Sequence, residues 1–310
     1  MRILVLGAGG IGGYFGARLA ASGADVTFLV RPRRAALLAT NGLVVKSPAF
    51  GDVTVAPKTV TREAPGGGYD VILLSCKAYD LEDAIAAMSP AAKGALIVPM
   101  LNGLAHLDRL DAAFGREHVA GGTAIIAATL DADGPVRHLN RAHTLIHGTR
   151  HPAQAATVAA FQAALAPSGV EARVSDDIMQ DLWEKWVFLC SLAAMTCLMR
   201  APVGPIASAP EGEALMLATR EECTAAATAA GHAPREAHRA FTRKQLTDHG
   251  STMAASMLRD LEGGLEVEAD HIVGDMLHRA RAAGNAAPLL AAAHTHLDVY
   301  RRQRTAAKQA

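Results

Sequence analysis

The chain has 310 residues, half of them hydrophobic, with 30 basic and 30 acidic side chains and a sequence pI of about 7.2. This length predicts two domains with sizeable cores rather than one. The charge is balanced, without a basic stripe or an acidic tail, which argues against nucleic-acid binding and against a solvating segment.

The first residues already have the pattern of a strand, so we expect no signal peptide. No apolar run approaches the roughly eighteen residues that span a bilayer, so we expect no membrane segment. The four cysteines lack the C-x-x-C spacing typical of metal sites; they are Cys76, Cys190, Cys197 and Cys223. Buried free thiols in a reduced cytosol are the expectation, and the protein is predicted to be cytoplasmic.

A glycine-rich segment follows the first predicted strand directly. Residues 2–6 are an apolar run, and Gly7-Ala8-Gly9-Gly10-Ile11-Gly12 comes next, at the start of a helix predicted over 10–22. A further strand is predicted at 25–30. The pattern G-x-G-x-x-G between a strand and a helix indicates dinucleotide binding. The alternative is a glycine turn that serves packing alone.

Each position of this motif has a physical role in such a site. Gly7 permits the tight turn, Gly9 lets the backbone approach a pyrophosphate, and Gly12 lets the helix pack closely on the strand. Gly10 and Ile11 lie at the helix N-terminus, where free N–H groups and the positive end of the dipole favour phosphates. We therefore predict that these five residues bind the cofactor.

Arg31 directly follows the second predicted strand, and more arginines open the helix predicted over 32–41. An NAD enzyme usually has Asp or Glu at this strand end to bind the ribose 2′-hydroxyl. A guanidinium can instead hold a 2′-phosphate through two hydrogen bonds, so the residue favours NADP over NAD. A solvated basic patch at a helix start would account for the same arginines.

The first half continues as alternating strands and helices, which predicts a mainly parallel sheet with helices on both faces. Further strands are predicted at 71–75, 95–98, 119–126 and 143–147, with small extra strands at 43–46 and 52–56. Further helices are predicted at 79–88, 104–114 and 153–167.

Two polar residues follow strands of this predicted sheet. Ligands of open α/β sheets bind outside the carboxyl ends of the strands. Lys77 comes after the strand at 71–75, where it can reach phosphate or substrate. Asn102 comes after the strand at 95–98, where it could hold the nicotinamide ribose or the substrate, although Asn-Gly is also typical of an ordinary turn.

Beyond residue 175 the pattern changes to helices alone. They are predicted at 178–199, 211–231, 235–249, 253–262, 266–283 and 288–303, with a loop around Pro202, Pro205 and Pro210. The expected fold is thus an α/β Rossmann-type domain over residues 1–175 and an all-helical domain over residues 176–310 that serves the substrate and dimerisation. The cleft between two such domains is the expected site.

Lys185 lies on a predicted helix that is apolar nearly all round from Trp186 onward, so this helix is expected to be buried. A lysine entering such a helix can face a cleft. It can equally lie on the solvated face with Asp181 as its partner one turn away. The sequence leaves both interpretations open.

Carboxylates cluster further along the chain, near a predicted helix start at Glu266. Such groups can simply complement the helix dipole. The histidines there show no metal-ligand pattern, so no metal site is predicted; they are His271, His278, His294 and His296.

Together these segments resemble the ketopantoate reductase (2-dehydropantoate 2-reductase) family over nearly the whole chain. The resemblance rests on the glycine motif, Cys76-Lys77-Ala78, Asn102-Gly103, Trp183-Glu184-Lys185 and the block from Ser256 to Gly274. The last block is the more specific. In the family, a serine precedes by twelve residues the glutamate of a T-E-I-D-like motif, and Ser256 and Glu268 keep that spacing.

The resemblance implies that NADPH delivers hydride to a 2-oxo acid, as when ketopantoate is reduced to pantoate in pantothenate biosynthesis. Lys185 matches the family's catalytic lysine, which polarises the carbonyl and donates the proton. Glu268 matches the glutamate that contacts substrate, and Ser256 matches a contact of the substrate carboxylate. A positioned ammonium stabilises the developing negative charge, and a lysine whose pKa is lowered by partial burial can pass a proton.

Three more residues match the cofactor contacts of the family: Lys77 and Asn102 at the cofactor–substrate junction, and Arg31 at the 2′-phosphate. Two positions depart from it. The family usually has asparagines four and eight residues after the lysine, and here these positions are Leu189 and Ala193. Apolar residues cannot select a hydroxylated substrate as asparagines do, so a more apolar 2-oxo acid or another carbonyl compound is expected.

The leading hypothesis is therefore an NADPH-dependent 2-oxo acid reductase acting on a small molecule, with a homodimer as the expected state. A dehydrogenase of the 3-hydroxyacid or opine type shares the layout, but Ser256 with Glu268 favours the first. A non-catalytic NADP-binding regulator would need neither Lys185 nor Glu268.

Overall fold

The computed structural model describes residues 1–132 and 134–309. The chain forms two compact units. Unit 1 consists of Met1–Leu101 and His106–Ile178, and unit 2 consists of Asn102–Ala105 and the chain from Met179 onward. The short segment Asn102–Ala105 thus belongs with the helices of the second half, although most of its sequence neighbours lie in unit 1.

Unit 1 is built of alternating strands and helices. Its strands are β1 (Arg2–Leu6), β2 (Asp25–Leu29), β3 (Leu43–Lys46), β4 (Val53–Val55), β5 (Lys58–Val60), β6 (Val71–Leu74), β7 (Leu96–Pro99), β8 (Gly121–Leu130), β9 (Val136–Gly148) and β10 (Glu171–Val174). Its helices are α1 (Gly10–Ala21), α2 (Pro32–Asn41), α3 (Leu81–Met88), α4 (Ala105–Phe114) and α5 (Ala155–Leu165).

Five strands form a parallel sheet in the order β5-β2-β1-β6-β7. β6 and β7 are buried along their whole length, as expected for parallel strands covered on both faces. β1 lies at the centre, with Leu6 level with Leu29 on one side and with Leu74 on the other. The carboxyl ends of β1, β2 and β6 therefore meet at one edge of the sheet.

The predicted α/β fold is confirmed, with one correction to the sheet. Beyond Val119, which forms an isolated parallel bridge with Ile97 of β7, the segments predicted at 119–126 and 143–147 leave the parallel sheet. They form the long antiparallel hairpin β8–β9, which pairs from Gly121 with Gly148 to Leu130 with Val136 and carries β3, β4 and β10 in a second sheet. Periodicity reports that a strand exists and not which strand it pairs with. The short strands β5 and β10 gave no separate signal.

Unit 2 is helical. Its helices are α6 (Ile178–Met199), α7 (Val203–Ser208), α8 (Gly212–Ala229), α9 (Glu236–Leu246), α10 (Ser256–Glu262), α11 (Asp275–Ala282) and α12 (Pro288–Gln309), and a π-helical segment, Asp270–Gly274, precedes α11. The loop predicted around Pro202, Pro205 and Pro210 is interrupted by α7, although Pro210 does lie in a turn after that helix. Pro202 caps α7 and Pro205 lies in its first turn, where a missing N–H is tolerated.

α6 is the core helix of unit 2, and Trp186, Val187 and Cys190 on it are almost fully buried. By length and hydropathy alone it also qualifies as a membrane span, which the sequence analysis did not expect. However, 72% of the qualifying window is buried inside the protein. That burial is typical of a core helix that packs against other helices.

Candidate active site

The glycine turn between β1 and α1 has the geometry of a phosphate-binding turn. Gly7 has φ +93°, and its N–H donates to the Leu29 carbonyl at 3.0 Å. A Cβ atom at position 12 would lie 2.1 Å from the Ser75 Oγ and 2.2 Å from the Gly7 carbonyl oxygen. Only glycine fits at position 12, and its absence of a side chain brings α1 against the strand ends.

The N-terminus of α1 leaves room for an anion. Gly9 caps the helix in an extended conformation, and a Cβ there would have no atom within 4 Å. No side chain among the described residues caps this end, and the first turn holds no acidic residue. By contrast, a Cβ on Gly10 would lie 2.8 Å from the Ala128 carbonyl oxygen, so Gly10 is needed for packing on β8. The turn thus fits a pyrophosphate at Gly9 and at the first helical amides.

Arg31 caps the N-terminus of α2, directly beyond β2. Its Nη2 lies 2.8 Å from Asp80 Oδ1 and 3.7 Å from Asp83 Oδ2. The hydrogen bond to Asp80 raises the pKa of Arg31 above its usual value. The cation predicted to meet a 2′-phosphate is therefore present but already has an acidic partner.

Arg34 is a site residue that the sequence analysis did not single out. Its Nη2 donates to the Ala8 carbonyl within the glycine turn at 3.0 Å, and its Nη1 donates to the Gly134 carbonyl at 3.0 Å. Burial lowers the pKa of Arg34. The sequence shows several arginines after the second strand, but it does not indicate which of them would hydrogen-bond to the glycine turn.

Lys77 lies just beyond β6, half-buried, where its carbonyl oxygen accepts from the Asp80 amide at 2.9 Å. Two residues earlier, the Ser75 hydroxyl donates to the Leu6 carbonyl at 2.8 Å. The loop that carries Lys77 is thus tied to the end of β1, where the glycine turn begins.

In unit 2, Lys185 and Asn102 meet although 83 residues separate them in sequence. The Lys185 Nζ donates to Asn102 Oδ1 at 3.2 Å. Desolvation by burial lowers the pKa of Lys185 from 10.5 to about 8. The side chain therefore remains mostly protonated at neutral pH, yet lies close enough to its titration to give up a proton.

The acidic neighbours of Lys185 on α6 are paired with Arg235. The Arg235 amide and Nε donate to Glu184 Oε1 at 2.7 and 2.9 Å, and its guanidinium also binds Asp181. These bonds tie the start of α6 to the start of α9. They also give Asp181 a strong cationic partner other than the lysine that follows it one turn later.

The π-helical segment holds Asn102 in place. Gly103 has φ +74°, and a Cβ there would lie 2.8 Å from the His271 carbonyl oxygen and 3.1 Å from its ring. The backbone of Asn102 is hydrogen-bonded to the His271 ring, whose pKa is lowered by burial. Trp186 Nε1 donates to the Ile272 carbonyl at 3.0 Å. The same segment thus contacts both the Asn102 turn and α6, and His271 was missed because an isolated histidine carries no pattern.

Glu268 is 8% exposed and immediately precedes the helical residues that lead into this segment. Its carbonyl oxygen accepts from the Ile272 amide at 3.0 Å, and its charge acts to raise the pKa of His271 against the effect of burial. Ser256 is the first residue of α10 and half-buried. The structure thus joins Lys185 to Asn102 directly and places Ser256 on a separate helix.

Leu189 and Ala193 lie on the same face of α6 as Lys185, one and two turns after it. Leu189 is partly exposed, whereas Ala193 is fully buried. Of the two, only Leu189 keeps side-chain surface that is not buried inside the protein. Within residues 1–132 and 134–309, no group of three or more His, Cys, Asp or Glu side chains could hold a metal ion.

Comparison with known proteins identifies two family models along the chain. The model for "Ketopantoate reductase PanE/ApbA" matches residues 3–150, and the model for its C-terminal domain matches residues 177–301. The chain is 34% identical over 301 residues to an uncharacterised oxidoreductase, YkpB, of Bacillus subtilis, covering 97% of this chain and 99% of that protein.

Solved structures show the same fold. The crystal structure of a PanE/ApbA family ketopantoate reductase from Ralstonia eutropha has a TM-score of 0.88 at 27% identity, covering 98% of this chain and 100% of that one. A D-mandelate dehydrogenase in complex with NADH and anilino(oxo)acetate has a TM-score of 0.88 at 19% identity, covering 98% and 100%. At that identity the likeness shows the fold alone.

Proposed function

Because this chain belongs to the ketopantoate reductase family, we propose that it reduces the carbonyl of a 2-oxo acid to a 2-hydroxy acid with NADPH. The observation that carries the proposal is the Lys185–Asn102 pair, in which a lysine with a pKa of about 8 is held by a neutral amide. A lysine with only a structural role would gain no stability from the loss of hydration that burial imposes at this position.

The glycine turn and the residues around it would hold the cofactor. The open space at Gly9 and the uncapped start of α1 suit the pyrophosphate, while Arg34 keeps the turn in shape. Lys77 and Asn102 would contact the nicotinamide half, and Arg31 the adenosine ribose. When bound, the nicotinamide supplies the hydride that reduces the carbonyl carbon.

Lys185 would donate a hydrogen bond from Nζ to the carbonyl oxygen. As the carbonyl carbon is reduced, that oxygen gains negative charge, which a fixed ammonium stabilises. The Nζ proton then passes to the oxygen to complete the hydroxyl group, and the neutral amine takes a proton from water. Asn102 supports this role because its Oδ1 accepts a hydrogen bond from Nζ, which directs the lysine side chain without neutralising its charge.

Glu268 and Ser256 would bind the substrate from two further elements of unit 2. A carboxylate and a hydroxyl can bond the substrate's hydroxyl and carboxylate groups, which orients the carbonyl for reaction. Leu189 replaces a polar contact with an apolar one, so we propose a 2-oxo acid that is more apolar than ketopantoate. The D-mandelate dehydrogenase of the same fold binds an aryl-substituted oxo acid analogue with NADH, which makes aromatic 2-oxo acids worth testing.

We also propose that the protein works as a homodimer in the cytoplasm. All four cysteines are free thiols, in keeping with a reducing compartment. Large apolar side chains are exposed on unit 2, among them Phe241 and Leu265 at 50% and 55%. Light scattering of the purified protein would give a mass of twice the chain if this is right.

The direct test is a panel of 2-oxo acids with NADPH and NADH, followed by loss of the reduced cofactor's absorbance. Pyruvate, ketopantoate, branched-chain oxo acids and phenylglyoxylate span the range from small to polar to apolar. Turnover of at least one oxo acid, abolished in Lys185→Ala, is the expected result. Tight cofactor binding without oxidation by any member of the panel would point to a non-catalytic NADP-binding regulator instead.

A further inference from the structure

An ion pair spans the strand ends beside the glycine turn. Arg31 follows β2 and Asp80 follows β6, while β1 lies between these two strands in the sheet. The contact between Arg31 Nη2 and Asp80 Oδ1, at 2.8 Å, therefore passes over the end of β1. In a doubly wound sheet a dinucleotide lies across this edge, with its adenosine ribose beside the end of β2.

Asp80 is committed to this contact rather than to its local helix. It is the last residue of the 3₁₀ turn Ala78–Asp80, which leads directly into α3, so a side chain there could accept a hydrogen bond from a nearby helical amide. Its side chain makes no such bond. The Asp80 carboxylate instead accepts a hydrogen bond from Arg31, which follows a different strand.

The second acidic neighbour is shared with another arginine. Asp83 Oδ2 lies 3.7 Å from Arg31, while its other oxygen accepts from Arg62 at 2.7 Å. Asp80 is thus the main partner of Arg31. Because the Arg31 side chain is 71% exposed, the pair is weak and can exchange with a bound anion.

We propose that Asp80 determines how strongly this protein discriminates between NADPH and NADH. Toward NADPH, its carboxylate competes with the 2′-phosphate for Arg31 and repels that phosphate. Toward NADH, it supplies the hydrogen-bond acceptor for the ribose 2′-hydroxyl that the end of β2 lacks. Arg31 alone predicts a strict NADP enzyme, whereas Arg31 with Asp80 predicts one that accepts both cofactors. This inference rests on the proposed function and specifies its cofactor.

The test is calorimetric binding of NADPH and NADH to the full-length wild type and to Asp80→Asn, without any oxo acid. The matched control is Glu82→Gln, which removes a carboxylate two residues away that pairs instead with Arg109 at 2.8 Å. We expect the ratio of NADH to NADPH dissociation constants to rise five- to tenfold in Asp80→Asn, with tighter NADPH and weaker NADH. The control is expected to stay within twofold of wild type.

A change in that ratio of threefold or less in Asp80→Asn, or an equal change in Glu82→Gln, overturns the assignment. Thermal unfolding of each variant establishes that it is folded. If the wild type binds neither cofactor, the proposed function fails together with this inference. If it binds both and the ratio does not move, only the role of Asp80 is refuted.

Discussion

The Lys185–Asn102 hydrogen bond makes a quantitative prediction about the pH dependence of turnover. If the Lys185 ammonium is the proton donor, kcat/KM is constant at neutral pH and falls tenfold per pH unit above its pKa of about 8. A solvated lysine would sustain activity to about pH 10.4. Stopped assays at saturating cofactor between pH 6 and pH 10 locate the break.

Asn102→Asp moves this break upward. The substitution places a carboxylate oxygen where the amide oxygen now lies, 3.2 Å from Nζ. At that separation the attraction is about 1.3 kcal/mol even at the dielectric constant of water, which corresponds to about one pKa unit. The effect is larger at a partly buried site, so the break should shift to about pH 9 or above.

The same change at Asn140 is the matched control, since its Oδ1 accepts from the Ala127 amide at 3.0 Å in the β8–β9 hairpin of unit 1. Asn140→Asp should leave the break in place. The pKa can also be read without turnover from the Cε chemical shift of Lys185, assigned by its absence in Lys185→Arg. A break that stays near pH 8 in Asn102→Asp would refute the proposed pairing.

Five further substitutions test the glycine turn, the α6 positions after Lys185 and a buried histidine. Gly12→Ala should destabilise unit 1 by several kcal/mol through its clash with backbone, whereas Gly9→Ala should fold normally and lose cofactor affinity in a calorimeter. Leu189→Asn should raise kcat/KM for ketopantoate relative to apolar oxo acids, and an unchanged substrate preference in this variant would remove Leu189 from the site. Ala193→Asn should instead lower the melting temperature, because it buries an amide. Desolvation lowers the pKa of the fully buried His147 below 6.5. As the pH drops below about 6.5, this histidine is therefore protonated first in the unfolded chain, and the free energy of unfolding falls. Denaturant titrations of His147→Gln should show a weaker pH dependence of stability than those of the wild type.

The fold followed from local patterns, which are strong where a strand, a glycine turn and a helix follow one another. The turn at Gly7 to Gly12 is of this kind, because the step from β1 to α1 needs glycine at position 7, where φ is positive, and at position 12, which lies against the Gly7 carbonyl. The hairpin β8–β9 was assigned to the wrong sheet because strand partners are set by long-range packing. Helix α7 was missed because its prolines read as loop, although the first turn of a helix accepts them.

The same distinction between local sequence patterns and long-range contacts applies to the candidate site. Lys185, Glu268 and Ser256 came from a family resemblance, and Asn102 came from its place after a strand. Nothing local in the sequence indicates that Asn102 hydrogen-bonds Lys185, that His271 holds the Asn102 turn, or that the Asp80 side chain pairs with Arg31. Each of these contacts joins residues from separate elements, so it exists only once the tertiary structure is formed.

The central claim is that Lys185 acts on the substrate carbonyl and not on the cofactor. Comparing Lys185→Ala with wild type tests it most directly, with oxo acid turnover and NADPH affinity measured on the same samples. Turnover should be abolished in Lys185→Ala, while the NADPH dissociation constant should change by no more than about twofold. A large loss of NADPH affinity, or turnover that survives the substitution, would contradict it.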